Sequence, residues 1–427
     1  MAPSLALPQD NLMALARESM HDLIVGCLFG SALGDAIGLY TEFLSGETSA
    51  RAYPSRSFVL HPTASATPLR HDSHRDPHLP GDWTDDTDHA VLMLLSFLHS
   101  DGGDPDPNDF AARLHTWVQM GLRALDTLPL GLGHTVGSIV RSKDYLEDPQ
   151  GAARRFWVKG GHKAAPNGSL MRTHPVGLFC VGKTLDETFQ MALDFSVVTH
   201  ADPRCVISCV IGSALIRGLV RREVRTEADV DALISKALEW YEPVGIEEPE
   251  LDMGELRRHA NPGGLAELEL DDSLKMGYVF KTFGAGMHLL RRAMRELAGK
   301  SDALPARMAL FETLMVDLVM QGGDADTNAC FAGALLGAYL GWRALPPHWR
   351  DGLRHGSWLM GKAEGLSSLL GVGERQYSGS QDADTAPDGG RGYLTQKEVE
   401  KKFMLLQAEM ASRNHERAKQ GKGKRRR

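Results

Sequence analysis

Two apolar segments of this sequence carry glycine at every fourth position, and this pattern strongly constrains the fold. The glycines of the two stripes are Gly26, Gly30, Gly34 and Gly38, and Gly333, Gly337 and Gly341. A four-residue spacing puts each set on one face of an α-helix, where a second helix can pack at short distance. Each glycine costs about 0.5–1 kcal/mol of helix stability relative to alanine. We therefore expect a compensating close contact and place both stripes at the centre of the domain.

Helical periodicity fills most of residues 11–371, whereas alternating strand patterns are scarce and no βαβ rhythm is present. The periodic segments are 11–38, 86–99, 109–125, 186–198, 204–221, 227–241, 281–297, 307–320 and 327–342. The pattern predicts an all-α fold, with a single large helical domain over residues 1–371.

Residues 372–427 differ from the rest in composition. The stretch 373–392 is rich in Gly, Ser and Asp, which predicts a disordered linker. An amphipathic helix over about 395–418 and the basic end GKGKRRR complete this second unit. The basic end is either a nuclear-import or anion-binding tract, or a solvated terminus.

Charge and apolar patterning limit the compartments and the partners that are compatible with this sequence. The formal net charge is −8, but the last fifteen residues carry +7, which leaves −15 on the body. An acidic body argues against a broad nucleic-acid-binding face. The longest apolar stretches, 23–34 and 205–216, are about twelve residues long, too short to span a bilayer. Five scattered cysteines indicate a reducing compartment, so we expect a protein of the cytoplasm or nucleus.

Three acidic motifs stand beside these helices. GDAIGLYTE (34–42) ends the first glycine-rich helix, GDWTDDT (81–87) precedes the second periodic segment, and GGDADT (322–327) precedes the last. Helix capping explains one Asp or Thr at each helix start. The motifs offer more oxygen groups than capping needs, which suggests a bound cation.

Carboxylate and hydroxyl ligands without clustered Cys or His suit Mg²⁺, Mn²⁺ or Ca²⁺ better than zinc. The carboxylates expected to converge are Glu42, Asp85, Asp86, Asp324 and Asp326. Like charges at about 4 Å repel by about 4 kcal/mol per pair at an effective dielectric of 20. Such a site would require about two divalent ions.

Two further features of the chain look structural. The string Asp-Ala-Asp-Thr recurs at 382–385, without the preceding glycine pair or the following apolar helix, and we interpret this copy as linker. The long loop over 51–82 carries His61, His71, His74 and His78. Their spacing matches no metal-binding pattern, so we expect solvated loop residues.

Five motifs, in order, resemble those of the ADP-ribosylglycohydrolases, the family of the ADP-ribosyl-acceptor hydrolases and the dinitrogenase-reductase-activating glycohydrolases. They are GDAIGLYTEF, WTDDT, NGSLMRTHPVGL, VVTHADPR and GGDADT, and they span about residues 22–342. The resemblance implies an orthogonally packed helical bundle with two Mg²⁺ ions, with Mn²⁺ as an alternative. It implies hydrolysis of the bond between ADP-ribose and an acceptor, and we expect a monomer acting on ADP-ribosylated substrates.

The resemblance also implies roles for individual residues. The metal ligands would be Thr84, Asp85, Asp86, Asp324, Asp326 and Thr327. The catalytic residues would be Glu42, Asp86 and Asp326, with the loop after residue 43 as a candidate lid. The substrate-binding residues would be Asn167, Gly168, Ser169 and His200. Taken alone, Asn167-Gly168 could equally form a turn, and His200 could cap a helix C-terminus.

Two other functions remain open from the sequence. A binuclear-metal nucleotide phosphohydrolase would use the same acidic ligands and release phosphate. A non-catalytic scaffold would bind ADP-ribose without turnover. The acceptor also stays open, because arginine, serine, a nucleic-acid end and a small metabolite all fit the motifs.

Overall fold

The computed structural model describes residues 9–244, 250–298, 303–373 and 375–424. Within these ranges the chain forms α-helices joined by loops and short 3₁₀ turns, and the described residues contain no β-strand. The prediction of an all-α fold is confirmed. The helices are α1 Gln9–Gly38, α2 Gly46–Ala52, α3 Asp85–His99, α4 Pro107–Met120, α5 His134–Val140, α6 Pro149–Lys159, α7 His174–Phe179, α8 Leu185–Val197, α9 Pro203–Val220, α10 Glu227–Val244, α11 Met253–Ala260, α12 Val279–Leu297, α13 Leu304–Val319, α14 Ala325–Leu340, α15 Pro347–Arg350, α16 Gly356–Leu369 and α17 Gln396–Lys424.

Local sequence explains where many of these helices begin. A side-chain oxygen of the residue before the helix accepts a hydrogen bond from a backbone N–H of the first turn, which satisfies a donor without an intrahelical partner. The residues that cap helices in this way are Ser45, Thr84, Asp106, Asp148, Thr184, Asp202 and Asp252. Capping therefore accounts for one side chain of the WTDDT motif, Thr84.

The two glycine stripes face each other. Helices α1 and α14 run antiparallel and form the most extensive helix–helix contact of the described chain. A Cβ on Gly30 would overlap the carbonyl oxygen of Gly333, and a Cβ on Gly337 would overlap that of Gly26. The expected close contact at the centre of the domain is confirmed. One consequence is that Gly38, at the end of α1, lies against the backbone of Asp326, so two of the acidic motifs meet.

The third acidic motif is held beside them by Asp35 of α1. This fully buried carboxylate accepts hydrogen bonds of 3.0 Å from the backbone N–H groups of Thr84 and Thr87, and one of 2.5 Å from the Thr87 hydroxyl. The first turn of α3 is therefore fixed against α1. All three motifs meet at one end of the central helix pair.

Helices α1 and α9 are long and apolar enough to span a bilayer, because each extends beyond the apolar stretch recognised in the sequence. In the folded chain, 83% of the apolar window of α1 and 94% of that of α9 are buried. Such burial is typical of core helices that pack against protein. Both serve here as the centre of the domain.

The prediction of a disordered linker is wrong for residues 375–392. Thr385 is fully buried, its hydroxyl donates to the carbonyl of Gly379 at 2.6 Å, and its own carbonyl accepts from Arg113 of α4. Lys362 of α16 contacts Asp382 at 2.6 Å and Asp384 at 2.9 Å. The polar composition predicted disorder, but the carboxylates of Asp382 and Asp384 bind the buried ammonium group of Lys362 and hold the segment in place.

The C-terminal helix α17 packs on the domain through polar contacts. Lys402 pairs with Asp126 at 2.6 Å, and Arg413 donates to the backbone carbonyl of Asp76 at 2.7 Å. The last residues of the basic end, 425–427, lie outside the described residues. A division into independent units at residue 371 stays a prediction.

Candidate metal centre and substrate pocket

A cavity of about 250 Å³ lies where the three acidic motifs meet. Among the residues predicted from the sequence, those lining it are Glu42, Asp85, Asp86, Asn167, Gly168, His200, Asp324, Asp326 and Thr327. The chain just after α1 and the starts of α3 and α14 supply the acidic side, whereas the turn after Pro166, the segment before α9 and residues 131–136 supply much of the rest. The predicted convergence of residues far apart in the chain is confirmed.

Three carboxylates form the tightest acidic group among the described residues. One oxygen each from Glu42, Asp324 and Asp326 lies within 4.8 Å of the others. Glu42 and Asp326 are buried, and Asp324 is partly exposed toward the cavity. Three oxygens at this separation form an arrangement that a divalent cation can hold together.

Threonine hydroxyls connect the two Asp-rich helix starts. Thr84 Oγ1 lies 3.2 Å from Asp86 Oδ2 and 3.4 Å from Asp326 Oδ2, so it bridges α3 and α14. Thr84 itself stands just outside the residues that line the cavity. Asp324 occupies the N-cap position of α14 but makes no side-chain capping bond. Capping therefore does not explain Asp324, whose carboxylate points to other partners.

The glycine pair before Asp324 has a steric cause. Gly322 and Gly323 adopt φ of +73° and +70°, a left-handed conformation that residues with a Cβ rarely adopt. A Cβ on Gly323 would also overlap the carbonyl oxygen of Leu270. The turn exchanges two backbone hydrogen bonds with the chain after Glu42, from Phe43 N to Gly323 O and from Gly323 N to Leu44 O. This pairing carries Glu42 to Asp324 and Asp326.

Burial and mutual repulsion raise the pKa of the clustered carboxyl groups. The pKa of Asp324 rises to about 6, mainly through burial and secondly through the charge of Glu42. Burial and the neighbouring charges raise the pKa of Asp85, Asp86 and Asp326 well above the ordinary value. Ionising all of these groups together is therefore unfavourable unless positive charge is added.

The donor set fits a divalent cation. Asp86 Oδ1 and Asp326 Oδ1 are buried and have no hydrogen-bond partner within the described part of the chain. A buried carboxylate oxygen without a donor is costly, and a bound cation would satisfy it. All the converging ligands are carboxylate or hydroxyl oxygens, which matches hard ions such as Mg²⁺ and Mn²⁺.

Asn167 supports the acidic cluster from the opposite wall. Its Nδ2 donates to Asp324 Oδ2 at 2.8 Å and to Thr282 Oγ1 at 2.9 Å. The amide therefore orients a predicted metal ligand while it lines the cavity. Its neighbour Ser169 is fully buried outside the lining and lies 3.2 Å from Ser196 Oγ. Direct substrate contact by Ser169 stays a prediction, and its position favours a supporting role.

His200 lies at the cavity wall beside Gly168. A Cβ on Gly168 would come within 3.1 Å of both Cε1 and Nε2 of His200, so the glycine leaves room for the imidazole. The backbone N–H of His200 bonds to the carbonyl of Ser196 at 2.9 Å. The alternative of a simple turn at 167–168 is incomplete, because both residues line the cavity.

Two histidines of the long loop are partly or largely buried, which corrects the prediction of solvated residues for them. His74 Nε2 lies 2.5 Å from Glu42 Oε2, and His78 is only 9% exposed, with its pKa lowered to about 4 mainly by burial. Arg75, 2% exposed, holds this turn through bonds from Nε to the carbonyls of Leu39 and Tyr40 at 2.9 and 3.1 Å. The spacing of the histidines in the sequence indicated neither the His74–Glu42 contact nor the burial of His78.

Sequence reasoning also missed two buried carboxylates behind the site. Asp35 holds the start of α3, and burial raises its pKa to about 6. Asp88 accepts hydrogen bonds of 2.8 Å from the indoles of Trp83 and Trp117, and burial raises its pKa to about 7. The available signal was that each carboxylate stands close to the end of a long apolar run, because a charged residue in a buried helix needs specific partners.

Comparison with known proteins gives a consistent picture. A family model described as ADP-ribosylglycohydrolase matches residues 16–378. The ADP-ribosylarginine hydrolase Tri1 of Serratia proteamaculans (strain 568) is 25% identical over 332 residues, which cover 78% of this chain and 75% of that protein. The ADP-ribosylhydrolase ARH3 of Bos taurus is 24% identical over 347 residues, which cover 76% of this chain and 87% of that protein.

Solved structures show the same fold. An ADP-ribosylglycohydrolase-related protein complex contains a chain that superposes with a TM-score of 0.52 at 23% identity, covering 82% of this chain and 99% of its own. The family match spans most of the sequence and includes every acidic motif of the cavity. The protein therefore belongs to the ADP-ribosylglycohydrolase family, whose members cleave ADP-ribose from an acceptor.

Proposed function

We propose that the acidic cavity binds two Mg²⁺ ions, with Mn²⁺ as a substitute, and hydrolyses the glycosidic bond between ADP-ribose and its acceptor. The metal ligands would be Thr84, Asp85, Asp86, Asp324, Asp326 and Thr327. The observation that carries the proposal is the pair of buried, unpartnered oxygens, Asp86 Oδ1 and Asp326 Oδ1, in an acidic cavity.

Charge supports two ions over one. Five carboxylates surround the cavity, and each pair at about 4 Å repels by about 4 kcal/mol at an effective dielectric of 20. Two divalent ions bring four positive charges against five negative ones. A single ion would leave three negative charges uncompensated among buried groups.

Bound divalent ions supply Lewis-acid polarisation and orientation for the substrate and the attacking water. The side chains do the rest. Glu42, held by His74, takes a proton from the water at its carboxylate and returns it to the departing acceptor as the glycosidic bond breaks. Asp86 and Asp326 face the ribose and stabilise the positive charge that develops on its ring in the transition state. The substrate side of the pocket consists of Asn167, Gly168 and His200, with Ser169 behind them.

A substrate panel with metal depletion tests the proposal. The protein is treated with EDTA, and Mg²⁺, Mn²⁺ or Ca²⁺ is restored before incubation with ADP-ribosylated arginine, serine and nucleic-acid substrates. We expect release of free ADP-ribose with Mg²⁺ or Mn²⁺ and loss of turnover in EDTA. Full activity in EDTA would contradict metal dependence.

The repeated Asp-Ala-Asp-Thr string provides a matched pair of variants. Asp326→Asn and Asp384→Asn change the same position of the string. Asp326 lies in the cavity, whereas Asp384 pairs with Lys362 of α16. We expect Asp326→Asn to lower kcat by at least about a hundredfold, a loss of transition-state stabilisation of about 2.7 kcal/mol. We expect Asp384→Asn to keep turnover within about threefold, and equal effects would contradict the assignment.

Product identity separates the alternatives. A glycohydrolase releases intact ADP-ribose, whereas a nucleotide phosphohydrolase releases phosphate or a nucleoside monophosphate. Tight ADP-ribose binding without hydrolysis of any acceptor would instead indicate a scaffold. Mass analysis of the products decides among them.

We further propose that the protein acts as a monomer in the cytoplasm or nucleus. All five cysteines are buried and unpaired, as expected of a protein in a reducing compartment. Localisation of the tagged full chain and light scattering of the purified protein test these two points.

A further inference from the structure

A short hydrogen-bonded chain connects a buried arginine to the substrate pocket. Arg172 Nη2 donates to Thr199 Oγ1 at 2.6 Å, and Thr199 Oγ1 lies 2.7 Å from His200 Nδ1. Arg172, Thr199 and His200 are 0%, 1% and 3% exposed. Water therefore does not compete for these bonds, and their directions must be satisfied within the chain.

The directions of these bonds follow from the donor inventory. A guanidinium only donates, so Thr199 Oγ1 accepts from Arg172. The Thr199 hydroxyl proton then needs an acceptor, and His200 Nδ1 is the only one bonded to it among the described residues. A neutral imidazole that accepts at Nδ1 carries its proton at Nε2.

The surroundings of His200 keep its imidazole neutral and leave Nε2 available. Burial and the charge of Arg172 lower the pKa of His200 well below its ordinary value. Nε2 is buried and has no partner among the residues that the structure describes. The imidazole lines the cavity beside Gly168, so the missing acceptor must come from what fills the pocket.

Arg172 is built to stay a donor. It is fully buried, its guanidinium lies 5.0 Å from the centre of the Phe110 ring, and no carboxylate pairs with it in the described ranges. Burial lowers its pKa only to about 10, so it remains charged at neutral pH. It belongs to the 3₁₀ turn Leu170–Arg172, which begins two residues after the pocket residue Gly168. One segment thus forms both the pocket wall and the start of the chain.

We propose that Arg172 and Thr199 are positioning residues that fix His200 as the neutral Nε2–H tautomer, which donates a hydrogen bond to an oxygen of the ADP-ribose and transfers no proton. The inference rests on the proposed function for the identity of the ligand. It assigns His200 to ground-state binding and leaves proton transfer to Glu42.

Nitrogen NMR of the histidine side chains in the full chain tests the tautomer directly. With Mg²⁺ and ADP-ribose present, the His200 signals are identified by their loss in His200→Gln. We expect protonated Nε2 and accepting Nδ1 in the unaltered protein and in Thr199→Ser, and a changed tautomer balance in Thr199→Val. A proton on Nδ1, or an imidazolium at pH 7, would overturn the inference whether or not the protein turns over a substrate.

Binding and kinetics supply an independent readout. We expect Thr199→Val to weaken ADP-ribose binding and raise KM by about five- to tenfold, the range for one neutral hydrogen bond, with little change in kcat. Thr199→Ser should restore the affinity, whereas His200→Ala, which removes the Nε2–H donor, should weaken ADP-ribose binding at least as much as Thr199→Val does. Thr188→Val in α8 is the matched control, because it removes an equally buried hydroxyl that donates to the carbonyl of Thr184 and does not line the cavity.

Two results would refute the assignment of roles. One is a loss of kcat of a hundredfold or more in His200→Gln with unchanged binding, since His200 would then move a proton. The other is Thr199→Val with the same tautomer and ADP-ribose affinity as the unaltered protein. If no ADP-ribosylated substrate is hydrolysed, the proposed function fails, whereas the NMR result still decides the tautomer.

Discussion

His74 Nε2 lies 2.5 Å from Glu42 Oε2, so a residue of the long loop orients a carboxylate of the acidic cavity. The loop is held in place by Arg75, whose guanidinium donates to the carbonyls of Leu39 and Tyr40, the first two residues after α1. From the other side, Arg413 of α17 binds the backbone carbonyl of Asp76. The position of Glu42 therefore depends on contacts from three separate parts of the chain.

Removal of His74 should reduce activity. In His74→Ala, Glu42 loses the partner that orients it, and we expect kcat/KM to fall by about tenfold or more, as for other residues that orient metal-site groups. His71→Ala is the control in the same turn, since His71 is largely exposed and pairs with Asp76. Steady-state kinetics of both variants at saturating Mg²⁺ measure the difference. Indistinguishable variants would show that the His74 contact has no functional role.

Metal binding should stabilise the protein more at pH 7.5 than at pH 5. The folded-state pKa values of Asp35 and Asp324 are about 6, above the ordinary value of 3.8. Without metal, the free energy of unfolding of the protein therefore falls as the pH rises through about 6. Divalent ions compensate the charges that appear. At a hundredfold excess over the dissociation constant the gain is about 2.7 kcal/mol per site.

Thermal unfolding with EDTA and with Mg²⁺ at the two pH values measures this effect. At each pH, the observable is the melting temperature with Mg²⁺ minus the melting temperature with EDTA. This difference cancels the titration of groups remote from the cavity. A difference that is equal at both pH values would count against carboxylate ligands with raised pKa. Asp326→Asn should reduce the difference, whereas Asp384→Asn should preserve it.

The glycine stripes should tolerate no side chain. A Cβ at Gly30 would overlap the backbone of Gly333, and we expect Gly30→Ala to cost about 3 kcal/mol of unfolding free energy because α1 and α14 must separate. Gly361→Ala in α16 is the matched control, since no atom lies within 4 Å of its added Cβ. It should be neutral or stabilising by up to about 1 kcal/mol. Urea unfolding of both variants tests the contrast, which a loose helix contact would abolish.

The segment 375–392, which packs on α16, should open when the buried Lys362 side chain loses its charge. Lys362, whose side chain is 6% exposed, binds Asp382 and Asp384, so Lys362→Met leaves two carboxylates without their partner. We expect a local opening favoured by about 3 kcal/mol, the range for breaking a buried ion pair. Faster hydrogen exchange at Thr385 reports it, with exposed Lys397→Met as the control. Rapid exchange at Thr385 in the unaltered protein would mean that the segment is not held at all.

Much of the cavity was predictable because its ligands stand in short motifs beside helix ends. The acidic strings around Asp85 and Asp324 showed more oxygen groups than capping requires, and the structure gives the cap to Thr84 alone. The copy at 382–385 shows the limit of such reasoning. The same four residues bind Lys362 there, because the partner of a carboxylate depends on what packs against it.

The sequence by itself determined the helices, the two glycine stripes and the acidic strings, because periodicity, capping and backbone sterics act between residues a few positions apart. Only the tertiary structure decided that His74 reaches Glu42, that Asp35 holds α3, and that Arg172 and Thr199 orient His200. These contacts join residues brought together by loop docking and helix packing. No spacing along the chain encodes them, because their geometry exists only after the core has formed.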